Sequence, residues 1–111
     1  MRDARIPVRF GHPAPHEAVM VEDGIAAPPA RAQAGFALPG GLAGHVPGCA
    51  CCVPRSAVGQ AFGRLFLARA RGEVAWFDAV AVLATSAGEA AVRAALAADQ
   101  VSAGRFRLVE R

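Results

Sequence analysis

The stretch Phe77–Ala84, FDAVAVLA, is almost entirely apolar and repeats Val. A strand that alternated apolar and polar residues could lie with one face in water; this one cannot, because both of its faces are greasy. A short β-rich run of that kind is the mark of a strand inside a parallel sheet with cover on both sides. Its flanks agree. Upstream, Val58, Ala61, Phe62, Leu65 and Phe66 recur at i, i+3, i+4 spacing and form the apolar stripe of a helix. Pro54 suits the first turn of that helix, and Gly72 ends it. Downstream, Ser86 and Glu89 read as a capping box, S-x-x-E, that opens an alanine-rich helix running to about Ala98.

Further strands are expected at Ile6–Phe10, where Pro7 favours an edge or a strand start, at Ala18–Val21, and at Arg105–Leu108 after Gly104. The order strand, strand, helix, strand, helix, strand predicts an α/β fold: a small, largely parallel sheet with two main helices. With 111 residues there is room for one domain. Residues 24–44 are rich in Ala, Pro and Gly without a clear period. They read as a long loop, beyond the usual ~12–15 residues, that Phe36 and Leu38 could pin down. A sheet short of one covering helix would expose an apolar patch around Ala79–Leu83. That patch expects the 24–44 loop as a plug, a partner, or a second copy in a symmetric dimer.

Composition removes several function classes. Apolar residues make up 54% and charged residues 19%, so the chain is not a disordered tail. All 12 basic residues are Arg, and Lys, Asn and Tyr are absent. Lysine-dependent chemistry is therefore excluded, whether a Schiff base, a phosphate-binding P-loop lysine or a Ser-Lys dyad. The net charge of +3 comes from dispersed arginines, not from the clustered stripe of a nucleic-acid binder. The Ala, Arg and Gly content suits a GC-rich bacterial genome. No membrane-spanning run and no signal-peptide pattern are visible, so a cytoplasmic protein is expected. Ser86 has a structural reason in its capping box and no neighbouring His, and no catalytic residue is expected. Trp76 and Phe77, at a strand start, read as core or rim.

The chemistry concentrates in Gly48-Cys49-Ala50-Cys51-Cys52. Disulfide frameworks spread their cysteines, and neighbours this close pair only with strain. Next to a helix start the positive dipole end favours thiolate, and thiolates select zinc first, then copper(I). Three sulfurs leave a tetrahedral site one donor short. Glu22 and His45 are the nearest candidates, with His12 and His16 behind them.

GCACC followed by a helix and then an FD-led apolar strand resembles the CobW-type metallochaperone GTPases, which carry a GCxCC motif in that arrangement. The resemblance runs from about Ala18 to Arg111. AVMVEDG resembles the family strand that ends in N-E-F-G, with Glu22 on its acidic position. The resemblance implies a truncated P-loop GTPase-like fold and metal ligation by Glu22, Cys49, Cys51 and Cys52. The nucleotide machinery departs from the family. GHPAPHEAV stands where the G-x-x-x-x-G-K-[ST] loop belongs, and Leu83-Ala84-Thr85-Ser86 stands where the family has E-T-x-G. An N-K-x-D motif is impossible without Asn and Lys, so neither nucleotide binding nor enzymatic activity is expected.

Two functions are consistent with these features. One is a small metal-binding protein, with zinc the expected ion, that holds its metal or passes it on to a recipient protein. The other is a non-catalytic interaction module, pairing with itself or with a full-length CobW-like GTPase, in which the cysteines are vestigial. Thiol redox is a weaker third, because C-x-C-C is not the C-x-x-C arrangement.

Overall fold

A computed structural model describes residues 3–38 and 56–109. Five strands form one all-parallel sheet: β1 (Ile6–Phe10), β2 (Ala18–Glu22), β3 (Gln33–Phe36), β4 (Val80–Leu83) and β5 (Phe106–Leu108), in the order β3-β2-β4-β1-β5. Among the described residues there are three helices, α1 (Ala57–Ala70), α2 (Ser86–Ala98) and α3 (Gln100–Arg105). The α/β expectation holds, and β4 lies at the centre as its two apolar faces require.

The order of strands decides where the helices go. From β1 to β2 to β3 the chain steps one way across the sheet; from β3 to β4 to β5 it steps back. Right-handed crossovers put connections of opposite direction on opposite faces. The returning steps are made by α1 and by the α2–α3 pair, so all three helices share a face. Ile6, Val8, Ala18, Met20, Ala34, Phe36, Val80 and Val82 look toward them and meet Val58, Ala61, Phe62, Leu65 and Val92 in one buried cluster. Phe106 ties β5 to α1, with its ring centroid 4.6 Å from that of Phe62 and 6.2 Å from that of Phe66.

The outgoing steps carry no helix. Parallel strands usually need a dozen or more residues to connect, yet residues 11–17 join β1 to β2 directly. Register explains it: Val8 and Ala18 are both level with Val80, so β2 starts high and the chain has little height to recover. Arg9, Ala81 and Val19 stand in one row on this far face. Arg9 Nη2 donates to His12 O at 3.0 Å and to Glu17 Oε1 at 2.5 Å, which draws the connection across the row. Ala81 and Val19 are fully buried. Burial would by itself raise the Glu17 carboxyl; the Ala14 N–H bond and the Arg9 guanidinium outweigh it, and the net pKa lies below the ordinary value.

Four expectations are corrected. Residues 24–44 are not one loop, because β3 forms at Gln33–Phe36 with Ala34 and Phe36 turned inward. Phe36 and the partly buried Leu38 join the helix-side core, so they do not plug the far face. The cap of α2 is Thr85, one residue before the expected Ser86. Gly104 lies inside α3, a third helix that the two-helix reading lacked; Asp99 caps it, accepting from the Val101 and Ser102 N–H groups. Ser56, whose side chain accepts from Gly59 N at 3.0 Å, caps α1. Pro54, expected in that first turn, lies outside the described residues.

Candidate functional site

Because every strand is parallel, one edge of the sheet collects all five carboxyl ends, the usual ligand position in open α/β sheets. Glu22 sits there, at the end of β2. Beyond it the chain reverses through a turn that Ile25 N closes on Glu22 O at 3.0 Å. Gly24 supplies the φ of +97° that this turn requires and that a side chain would resist. Asp23 N donates to Phe36 O, which joins the turn to the end of β3. An open groove of about 390 Å³ lies here, lined in part by Glu22, Asp23, Ile25 and Phe36.

The Glu22 carboxylate reaches across to the start of α2. Its Oε1 accepts from Thr85 N at 2.8 Å and from Thr85 Oγ1 at 2.7 Å. The same hydroxyl accepts from Gly88 N at 3.1 Å. Thr85 therefore caps the helix with its oxygen while giving its proton to Glu22. A negative charge at a helix N-terminus is favourable in its own right. The approach is close enough that a Cβ on Gly88 would overlap the carboxylate. Thr85 and Gly88 are the partners that sequence reasoning missed. The available signal was the pair Thr85-Ser86, either of which could cap a residue three positions on.

Cys49, Cys51, Cys52 and His45 lie outside the described residues. The chain on either side of them does not: Leu38 follows β3 by two residues, and α1, which leads back to the start of β4, has its N-terminus on the same carboxyl edge. His12 and His16 are exposed on the β1–β2 connection, and His16 Nε2 stands 3.9 Å from Asp78 Oδ1. Among the described residues no three His, Cys, Asp or Glu side chains are grouped to hold a metal, and Glu22, His12 and His16 are not brought together. No described helix is long and apolar enough to cross a membrane.

Trp76 forms a separate feature. It is 61% exposed, with the Arg69 guanidinium 3.5 Å from its ring centroid, and its carbonyl accepts from Arg31 Nη1 at 2.7 Å. Phe77 beside it is fully buried, so the two expected core-or-rim residues divide one to each. Compared with protein-family models, with curated proteins and with solved structures, the chain gives no match.

Proposed function

We propose that this chain is a small metal-binding protein that holds zinc through Cys49, Cys51 and Cys52 and passes it to a recipient protein. The observation that carries this reading is the placing of three cysteines within four positions, in a segment whose flanking residues sit at the carboxyl edge of the sheet. Thiolates clustered beside a helix start suit a borderline-soft ion, and a fourth donor completes a tetrahedron. Glu22 and His45 are the candidates for that donor. The two hydrogen bonds Glu22 accepts from Thr85 both fall on Oε1, so ligation requires the carboxylate to share or leave its place at α2. Copper(I) suits the same sulfurs. No nucleotide takes part, because the chain has no lysine to reach a phosphate.

Metal analysis of protein purified anaerobically without a histidine tag tests the proposal. About one equivalent of zinc is expected, retained through gel filtration and lost in Cys51→Ser, with a smaller loss in His45→Ala. Metal content unchanged in the triple Cys→Ser variant would reject the cysteine site. Undiminished self-association or partner capture by a metal-free triple variant would favour the interaction-module reading.

A further inference from the structure

β3 is an exposed edge strand that one side chain holds closed. Its register against β2, with Val19 N donating to Ala32 O and Asp23 N to Phe36 O, turns the backbone of Ala32, Ala34 and Phe36 inward. The N–H and C=O groups of Gln33 and Gly35 therefore point out of the sheet, and both residues are exposed. Among the described residues one group from outside the strand meets this outer ladder: Arg64 Nη2, on α1, donates to Gly35 O at 2.7 Å. An unpaired edge invites pairing with another chain, and a cation placed on it guards against that. At the opposite edge Phe106 is buried and gives its N–H to Ser102 O.

The β3 edge is self-complementary. A second copy running antiparallel about a two-fold axis at Ala34 sets Gln33 opposite Gly35 twice. Each such pair exchanges both of its N–H···O bonds. The facing side chains fit, because Gly35 has none to meet Gln33, and across the axis alanine meets alanine. Beside the edge, Arg64, Leu67, Ala68 and Arg71 form one stripe of α1 along an open groove of about 330 Å³. Leu67 is 41% exposed there, apolar surface that association would cover. Half of the backbone bonds would end on Gly35 O, one set in each copy, and that is the oxygen Arg64 already holds.

We propose that β3 is a latched interface for a second copy of this chain, and that Arg64 is the latch. With the Arg64–Gly35 bond in place the chain stays a monomer. With it removed, two copies join their sheets edge to edge through β3. The interface makes no use of the cysteines and is independent of metal binding.

Sedimentation velocity over a dilution series, in reducing buffer with a chelator, tests this on the full chain. The unaltered protein should sediment as a monomer. Arg64→Ala, at an exposed helix position, should dimerise about a hundredfold more tightly, about tenfold for each latch removed. Adding Gly35→Pro should return the monomer, since proline deletes an outward N–H and leaves the bonds to β2 intact. Amide exchange gives a readout that needs no second substitution. In dimeric Arg64→Ala the Gln33 and Gly35 N–H groups should gain protection as concentration rises. An Arg64→Ala protein no more associated than the unaltered one would overturn the proposal. So would association that Gly35→Pro leaves intact, or that leaves those two N–H groups unprotected.

Discussion

Replacing Gly88 by alanine puts two effects of opposite sign in competition. Gly88 lies inside α2 with ordinary helical backbone, and the exchange of Gly for Ala in a helix normally stabilises by about 1 kcal/mol. Here the new methyl would overlap the Glu22 carboxylate and lie 2.8 Å from the Ala84 Cβ. The Glu22 side chain can swing away, but it then gives up both bonds from Thr85; Ala84 can yield only through its backbone. Overpacking costs about 1–3 kcal/mol, and charge-assisted bonds are worth about 1.5–3 kcal/mol before allowance for the partial exposure of this pair. The clash therefore wins, and a net destabilisation of about 1–3 kcal/mol is expected. Urea denaturation followed by circular dichroism measures it, and a companion thermal scan should fall by roughly 5–15 °C. A double-mutant cycle with Glu22→Ala locates the cause. Without the carboxylate, Gly88→Ala should cost at least about 1 kcal/mol less, the residue being the Ala84 contact. A stabilised Gly88→Ala protein, or a cycle additive to within ~0.5 kcal/mol, would refute the argument.

Glu17→Gln should cost about 2 kcal/mol, less than a fully buried pair because Arg9 still reaches solvent. As the native pKa of Glu17 is lowered, its contribution is present above the unfolded glutamate pKa and is lost as pH falls through the native value. The variant's stability should then depend less on pH between about 5 and 3, as urea midpoints across that range would show. Phe106→Ala removes the ring shared by Phe62 and Phe66 and should cost about 3–5 kcal/mol, unfolding β5 first, which amide hydrogen exchange at Val109, whose N–H donates to Val8 O, would detect. Arg69→Leu uncovers the only tryptophan and removes the bond from Arg69 Nε to Phe77 O at 2.7 Å; acrylamide quenching of Trp76 should rise while stability falls by about 1–3 kcal/mol.

How much could be read from the sequence follows from how strongly each segment is patterned. Val80–Leu83 and the Val58 to Phe66 stripe carry large side chains at unbroken spacing, and both elements stand where expected. β3 carries the same alternation at low amplitude. Gln33 and Gly35 face out, and one inward residue is only alanine, so four residues among prolines and glycines look like loop. α3 announces itself through Asp99, whose carboxylate also accepts from the Ser102 hydroxyl, but Gly104 reads as a terminator and hides it. Glu22 was legible as a residue at a strand end, whereas its attachment to Thr85 depends on β2 and β4 becoming neighbours. No local pattern encodes that. The cysteine cluster is legible in the sequence alone.

The position of β1 governs how the chain can be made. It leaves the ribosome before the other four described strands, yet it lies between β4 and β5, pairing Val8 with Val80 and Ile6 with Phe106. During vectorial synthesis β2 and β3 can pair soon after they emerge, while β1 waits for β4 and β5, about seventy and a hundred residues further on. Such long-range closure makes assembly slow and leaves an unpaired strand exposed to other chains in the meantime. A protein cut between residues 38 and 56 would carry the same requirement into two pieces. The fragment holding β4 and β5 would keep a slot between them, and only insertion of β1 from the other fragment could fill it.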